Sequence, residues 1–336
     1  MGPVRGVALK RLAWLVPTLL GVVAITFVIS HVIPADPVRL IAGDTATPEQ
    51  VETLRRQLGF DRPVPVQLAL YLKRLATGDM GQSLFTSRPV LDDLVGRLPA
   101  TIELTLVAML FTVGLGIPLG VISALRRNSL LDHIVRFVTV SGLAIATFWL
   151  GIILQLAFAM ELGWLPLGGR IDGFPPPTVT GLYLVDALID GDLKIFLDAL
   201  LHVVLPALAL GFPALATVVR FTRSGVLDVI HSPFVLYERA MGFPPALVVW
   251  KYVLRNALIS TVTQIGLLFG LLLAGAVVVE AVFDWPGLGA YAVNSIVMSD
   301  YNAVLGFTVW AGAIYIMVNL MVDLALMFVD PRETGR

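Results

Sequence analysis

The stretch "SPFVLYERAMGFPP", residues 232–245, contains the pattern of a complete short helix between two long apolar runs. Ser232 is a favourable N-cap residue and Pro233 suits the first helical position, whereas Gly242 suits the left-handed position that ends a helix. The proline pair that follows prevents the helix from continuing. A helix of about three turns is too short to cross a bilayer. The pattern therefore predicts a short helix at the edge of a membrane, joined to a span on either side.

The chain around this stretch has the composition of an integral membrane protein. Of its 336 residues, 57% are hydrophobic and 14% are charged, and the mean hydropathy is +0.87. Only α-helices and closed β-barrels satisfy their backbone groups in lipid, and barrels need alternating segments of roughly ten residues. Because the apolar segments here are continuous and much longer, we predict an all-α polytopic membrane protein. The net charge of −1 indicates no nucleic-acid partner, and the absence of cysteine excludes disulfides and thiol chemistry.

Six apolar segments are long enough to span a hydrocarbon core of ~30 Å, which needs ~20 helical residues. They cover roughly residues 10–33, 100–125, 134–161, 201–222, 257–281 and 303–329. The first segment exceeds the apolar region of a signal peptide, which is about 7–15 residues long, so we expect an uncleaved first helix.

The basic residues of the short loops predict how the chain is oriented in the membrane. Lys and Arg are concentrated in residues 1–12, after the second span and in residues 220–256. By contrast, the charged residues of 162–200 are mainly acidic, and residues 282–302 contain no Lys or Arg. Cytoplasmic loops carry the excess of basic residues. Both termini and the short helix are therefore expected on the cytoplasmic side of the membrane.

Residues 34–99 are expected to form an extracytoplasmic helical subdomain. Here "TPEQVETLRRQLGF" has an N-cap at Thr47 and a stop at Gly59, and "PVQLALYLKRLATG" has a stop at Gly78. A helical pattern in the second outside loop is broken by Gly191. The other divisions are residues 1–33 for the cytoplasmic N-terminus and first span, 100–330 for spans two to six with a cytoplasmic loop at 223–256, and 331–336 for a cytoplasmic tail.

No pattern of catalytic or metal-ligating residues stands out, and neither kind of site is expected. A phosphate-binding P-loop requires Gly-Lys-Ser/Thr, and none of the four lysines follows a glycine. The histidines lack the paired spacing of a metal site and are interpreted as structural polar residues; they are His31, His133, His202 and His231.

Ionisable residues within membrane spans are functional candidates, and few occur here. Glu103 and Glu280 lie near span ends, where both are expected to reach headgroup water. Asp323 lies deeper in the sixth span, with Asn319 four residues earlier on the same face. We interpret Asp323 and Asn319 as a polar pair that locks this span against its neighbours, with a role in a translocation pathway as the alternative.

From its residues alone, the short helix has two interpretations. Phe234, Tyr237 and Met241 follow three-to-four spacing along one side, while Glu238 and Arg239 face elsewhere. The helix is either an interfacial helix with aromatic residues at headgroup level or a docking element that transmits motion to the adjoining spans.

The stretch "YERAMG" followed by "VLRNAL" resembles the EAA loop of ABC-importer permeases. Further stretches resemble one branch of that family, the dipeptide/oligopeptide/nickel permeases of first-permease type, from about residue 9 to residue 332. They are "IPADP", "TPEQVETLRRQLGFDRPVPVQ", "GDMGQSL", "RLPATIELTL", "GIPLGVISALRRNSLLD", "FWLGIILQLAF", "VEAVFDWPGLG" and "VNLMVDLALMFVDPR". Met241 stands where the family usually has lysine, and Pro244 or Pro245 stands where it usually has a small or polar residue.

The resemblance implies a type I ABC importer (MetI-like) permease fold with six transmembrane helices in a bacterial inner (plasma) membrane. It also implies a heterodimer with a second homologous permease subunit, two ABC ATPase subunits and an extracytoplasmic solute-binding protein. The chain would then form half of a pathway for peptides, with di- or oligopeptides expected and nickel, glutathione or opines as alternatives. It would be a non-catalytic subunit without a cofactor, because the ATPases would bind ATP and Mg.

In the resembling family the short helix fits a groove on the ATPase, and the correspondence identifies candidate ATPase-coupling residues in this chain. They are Ser232, Phe234, Tyr237, Glu238, Arg239, Ala240 and Gly242. No substrate-binding residue is assigned.

Two functions from other classes are weighed against this one. A secondary transporter usually shows internal repeats, broken helices and buried coupling charges, whereas this sequence has no visible repeat and few deep charges. A membrane-embedded enzyme requires a convergent set of catalytic side chains, and the sequence shows none.

Overall fold

The structure, a computed structural model, describes residues 17–28, 38, 46–59 and 61–329, with side chains except at 54, 57, 58 and 323–329. Its described regular elements are all helices. They are α1 (Pro17–Val28), α2 (Pro48–Leu58), α3 (Val64–Ala76), α4 (Val90–Leu125), α5 (Leu130–Ala144), α6 (Thr147–Leu154, continued as a π-helix over Gln155–Glu161), α7 (Tyr183–Asp190), α8 (Leu193–Ile230), α9 (Pro233–Ala240), α10 (Pro245–Val282, π-helical over Val248–Val253), α11 (Leu288–Val297) and α12 (Tyr301–Val329).

Helices α4, α8, α10 and α12 are long and apolar enough to cross a membrane, and among the described residues they are the four that are so individually. Helices α5 and α6 together make a fifth candidate span, although they meet at an angle of 110°. The predicted first span, residues 10–33, lies partly outside the described residues, and its described part is the shorter apolar helix α1. The all-helical prediction is confirmed, with four or five of the six predicted spans represented.

The segment predicted as the third span, residues 134–161, is not one continuous helix. The helix is interrupted at Ile145 and Ala146, whose backbones are extended. Neither residue is a proline or a glycine, so the break has no local sequence signal. Each side of the break packs closely against an aromatic ring. A Cβ on Gly142 would lie 3.0 Å from the ring of Phe212, and a Cβ on Gly151 would lie 3.0 Å from the ring of Phe283. The two halves of the bent pair, α5 and α6, therefore have different packing partners.

Helices α4 and α8 form the most extensive helix pair among the described elements. Two glycines of α4, four residues apart, lie against α8. A Cβ on Gly116 would stand 2.7 Å from Val218 Cγ1, and one on Gly120 would stand 2.6 Å from Thr222 Cβ. Small residues at this spacing let helix backbones approach closely in membranes, where dispersion contacts drive association. Helix α10 also packs against α8 and completes the buried centre of the bundle.

Most helix limits set by capping residues are as predicted. Thr47 caps α2 in a reciprocal pair of bonds with Gln50, and Gly59 ends that helix with φ +75°. Gly191 has φ +76° and separates α7 from α8, whose first turn is capped by the Asp192 carboxylate. The spanning helices extend beyond the predicted apolar segments, since α4 begins at Val90 and α8 at Leu193.

Short helices cover the two ends of the bundle. Helix α9 lies at the end where α4 and α8 finish, and its Val235 is buried among Val121, Ile230 and Val253. At the opposite end, Tyr71 of α3 packs with Phe27 of α1 and with the beginning of α12. The Asp300 carboxylate also holds the segment before α4 at this second end, because it accepts from the Ser83 hydroxyl at 2.6 Å and the Leu84 N–H at 2.8 Å.

Candidate functional site

Helix α9 begins at Pro233, directly after the end of α8. Ser232 occupies the N-cap position as predicted, but its side chain does not cap the helix. Its hydroxyl instead donates to the carbonyl of Val229 at 2.6 Å. Pro233 has no N–H, so the first turn has one donor fewer to satisfy. The serine therefore closes the end of α8 and fixes the turn into α9.

Gly242 ends the α9 segment with φ +80°, as predicted. Its N–H donates to the carbonyl of Arg239 at 3.0 Å, and the N–H of Phe243 donates to the carbonyl of Glu238 at 3.4 Å. These two bonds form a Schellman motif, which needs a residue that adopts positive φ at low energy. The helical residues end at Ala240, so α9 has eight residues, about two turns rather than the three expected.

One residue anchors α9, and its apolar neighbours are left exposed. Val235 is fully buried, whereas the exposed fractions of Phe234, Tyr237 and Met241 are 42%, 64% and 61%. The sequence pattern identified these three residues but missed the anchor. The sequence indication that Val235 is buried was that it closely follows the apolar end of α8, against which it packs.

Of the remaining predicted coupling residues, Arg239 lines an open groove. Glu238 is half-buried, and Arg239 and Ala240 are exposed. Within the described part of the chain, neither Glu238 nor Arg239 forms a side-chain ion pair. The groove has a volume of about 610 Å³. It is lined by Leu125, Arg239, Phe243, Pro245, Ala246, Val249 and Trp250. The structure thus brings the end of α4, α9 and the beginning of α10 together around one exposed cation.

A buried ion pair braces the same end of the bundle. Asp132 of α5 is fully buried and accepts from Arg223 of α8, with Nε–Oδ1 and Nη2–Oδ2 distances of 2.8 and 3.1 Å. The hydroxyl of Ser123, on α4, donates to the same carboxylate at 2.6 Å. Because a buried charge-assisted network has few alternative arrangements, these three helix ends are expected to move as one body.

At the opposite end, the expectation that Glu103 and Glu280 reach water is wrong. Both are buried, with exposed fractions of 4% and 0%. Glu103 accepts from Arg170, and Glu280 accepts from the Thr101 hydroxyl and the Gly289 N–H, each at 2.6 Å. The reason is that the loop after α6 and the helix α11 fold over the first half of α4 and the end of α10, which hydropathy does not reveal.

The other singled-out polar residues have separate environments. The side chain of Asp323 and the whole of His31 lie outside the described residues, while Asn319 faces α10, where a Cβ on Gly270 would be 3.2 Å from its Oδ1. His133 and His231 are exposed. His202 is buried beside Asp198, which lies one turn earlier on α8, and Asp172, which lies in the loop after α6. No sequence pattern predicted this grouping.

Comparisons with known protein families match most of the chain. Residues 116–335 match the family described as binding-protein-dependent transport system inner membrane component, and residues 6–105 match the N-terminal region of such components. A solved chain of the MetNI methionine ABC transporter, in an inward-facing conformation, has a similar fold, with a TM-score of 0.52 at 20% identity. The similarity covers 72% of this chain and 96% of that one.

Curated relatives are similar over almost their full length. The chain is 46% identical over 327 residues to a probable D,D-dipeptide transport system permease protein of Escherichia coli K12, covering 96% of each. It is 39% identical over 326 residues to a dipeptide transport system permease protein of Alkalihalophilus pseudofirmus, covering 97% of this chain and 98% of that one. It is also 38% identical over 323 residues to a glutathione transport system permease protein of Pectobacterium atrosepticum, covering 96% and 97%.

Proposed function

We propose a function on the premise that the chain belongs to the family of binding-protein-dependent transport system inner membrane components, in its dipeptide branch. The chain is the permease subunit of an ABC importer. We infer that it forms half of the translocation pathway for di- or oligopeptides delivered by a solute-binding protein. The names of the dipeptide-transport relatives support this substrate class, and the glutathione-transport relative supports a glutathione permease as the second candidate.

The observation that supports the mechanism is that α9 exposes apolar side chains while its Val235 is buried and anchors the helix. Exposed apolar side chains that cluster on a fixed helix are typical of an interaction site. Val235 fixes the helix to α4, α8 and α10, while Phe234 and Tyr237 face outward. We assign this surface as the docking site of an ATPase subunit, with Ala240 beside it and with Glu238 and Arg239 at its rim.

The two ends of α9 give the docking helix a defined position. The Ser232 hydroxyl is bound to the end of α8, and the Gly242 turn leads within three residues into α10. A displacement of α9 by a moving ATPase would therefore be transmitted to both spanning helices. The buried Asp132–Arg223 pair would carry the same displacement from α8 to α5. In this mechanism the chain holds no ATP, and its partners bind ATP and Mg.

The proposal includes an assembly and a topology. The partners are a second homologous permease, two ABC ATPases and an extracytoplasmic solute-binding protein. The chain would have six spans in the bacterial inner membrane, with residues 10–33 as the first and both termini in the cytoplasm. Residues 34–99 would form an extracytoplasmic subdomain and residues 100–330 the permease core. Residues 223–256 and the tail at 331–336 would lie in the cytoplasm.

The docking proposal is tested with one aromatic residue at each end of the bundle. Tyr237→Ala removes an exposed ring from α9, and Phe174→Ala removes a ring that is 92% exposed at the opposite end. We expect Tyr237→Ala to reduce copurification of the ATPases with the permease and substrate-stimulated ATP hydrolysis in proteoliposomes. Phe174→Ala should leave copurification unchanged. Equal retention of the ATPases by both variants would show that α9 is an interfacial helix.

The substrate is tested with the assembled transporter and its binding protein. Uptake of a labelled dipeptide into proteoliposomes, competed by unlabelled dipeptide and not by glutathione, is the expected result. Uptake of labelled glutathione, without uptake of the labelled dipeptide, would support the second candidate. Uptake that persists without ATP and follows an ion gradient would contradict both and indicate a secondary transporter.

A further inference from the structure

Three potential ligand side chains meet where the loop after α6 crosses the beginning of α8. Asp172 belongs to the loop, and Asp198 and His202 lie one turn apart on α8. Each of the three offers one ligand atom within 4.8 Å of the others, and this is the one such group of metal-ligating side chains found among the described residues. The loop is held at this place, because the Asp172 N–H donates to an Asp198 carboxylate oxygen at 2.9 Å.

The orientation of His202 provides an independent observation. Its side chain is fully buried, and Nδ1 lies 2.9 Å from the backbone carbonyl of Asp198, to which it donates as an N–H. That bond leaves Nε2 as the lone-pair nitrogen of a neutral imidazole. Nε2 is buried and has no hydrogen-bond partner among the described residues. A backbone carbonyl that holds one ring nitrogen and directs the other is the usual support for a metal-binding histidine.

We propose that Asp172, Asp198 and His202 form a binding site for a divalent first-row transition metal ion, with Zn²⁺ as the representative ion. His202 Nε2 lies 3.5 Å from Asp172 Oδ1. Ligand atoms around a tetrahedral Zn²⁺ are about 3.3 Å apart when the bonds are about 2.0–2.1 Å long. One imidazole nitrogen and two carboxylates form a borderline donor set that suits zinc and its neighbours, whereas Ca²⁺ and Mg²⁺ favour oxygen ligands alone.

The position of the site indicates what the ion would do. Asp198 and His202 belong to a helix that runs through the whole bundle, while Asp172 belongs to the loop that also carries Arg170. An ion would join the loop to α8 beside the existing hydrogen bond from the Asp172 N–H to the Asp198 carboxylate. The Asp172 side chain is 86% exposed, so the ion would be reached from the aqueous side and could keep water as its fourth ligand.

The competing explanation is an ion-paired cluster without a metal, in which His202 faces both carboxylates: Nε2 lies 3.5 Å from Asp172 Oδ1 and Nδ1 lies 3.4 Å from Asp198 Oδ1. The two explanations differ in a measurable way, because only the metal site takes up an ion with defined stoichiometry. The chain contains no cysteine, so no thiolate of its own competes for zinc. His133 provides a matched control, since its Nδ1 makes the same bond to the carbonyl four residues earlier, at 2.8 Å, but the residue is exposed.

The test is calorimetric titration of Zn²⁺ into the full-length chain, purified in detergent with its co-expressed subunits after chelator treatment. We expect one zinc per permease chain in addition to any bound by the other subunits. His133→Gln should retain this ion. Asp172→Asn, which changes an exposed side chain and should not affect folding, should weaken its binding at least tenfold, and His202→Gln should abolish it.

Amide hydrogen exchange gives a second readout that does not depend on transport. Zn²⁺ should slow exchange in the loop around residue 172 in the unmodified chain and leave it unchanged in Asp172→Asn. The proposal is overturned if the unmodified chain takes up no zinc that Asp172→Asn and His202→Gln lack. It is also overturned if the loop exchanges at the same rate with and without the ion. In either case the three side chains form only an ion-paired cluster.

Discussion

Arg170 and Glu103 form a buried ion pair across 67 positions of sequence, with Nε 2.9 Å from Oε2. The guanidinium also donates to the Gly181 carbonyl at 2.7 Å and lies 3.7 Å from the centre of the Tyr183 ring. The second oxygen of Glu103 accepts the Leu184 N–H at 2.8 Å. One pair of charges thus fastens the loop between α6 and α8 onto the first half of α4.

We expect Arg170→Met to destabilise the protein by about 3–5 kcal/mol, because it leaves the Glu103 carboxylate buried without its cation. Arg56→Met is the control, since Arg56 is 72% exposed and lies 3.6 Å from Glu52, and such a pair contributes about 1 kcal/mol or less. Unfolding of the purified chain in mixed detergent micelles measures both. Equal stability of the two variants would mean that the pair does not fasten the loop.

The close approach of α4 and α8 predicts different effects for two glycines of α4. Gly120→Ala places a Cβ against Thr222 and should destabilise the helix pair by about 1–3 kcal/mol, as overpacking does. Gly114→Ala meets nothing within 4 Å and should be neutral or slightly stabilising. The same unfolding measurement compares them, and a neutral Gly120→Ala would contradict the packing.

The end of α9 is tested by changing only its backbone preference. Nothing lies within 4 Å of a Cβ on Gly242, so Gly242→Val strains φ without causing a clash, at a cost of roughly 1–2 kcal/mol. We expect it to weaken ATPase copurification and substrate-stimulated ATP hydrolysis more than Glu238→Lys, which alters one rim charge. Gly242→Asn should retain both the copurification and the stimulated ATP hydrolysis, because asparagine tolerates positive φ. Full activity of Gly242→Val would argue against a coupling role.

The proposed orientation predicts the accessibility of single cysteines, which is simple to measure because the chain contains none. Thr53 and Ala240 are both exposed. An impermeant maleimide should label Thr53→Cys in intact cells and label Ala240→Cys only after the membrane is opened. The reverse pattern would place α9 outside the cell and remove the basis for coupling to an ATPase.

Asp323 is predicted to be structural rather than part of a proton pathway. Asp323→Asn keeps the hydrogen-bonding shape of the side chain, so we expect transport by the assembled complex to remain largely intact. Loss of transport with normal assembly would instead indicate a pathway role for this residue.

Local features of the sequence determined the helical class, most of the spans and the helix limits at Thr47, Gly59, Gly191 and Gly242. These features were readable because they depend on neighbouring residues. Apolar length sets whether a helix can span, and a capping side chain or a positive φ acts within one turn. The same local signals located α9 in the sequence. Five of the seven candidate coupling residues lie on this helix, and each of the five is exposed or half-buried.

Only the tertiary structure decided which residues are brought together across the chain. The break at Ile145, the burial of Glu103 and Glu280, the anchor at Val235 and the meeting of Asp172 with His202 have no local signature. The physical reason is that helices associate in a membrane through close packing and buried polar bonds rather than through hydropathy, which is nearly uniform along the spans. Those contacts depend on which helix faces meet, and local sequence patterns do not reveal that pairing.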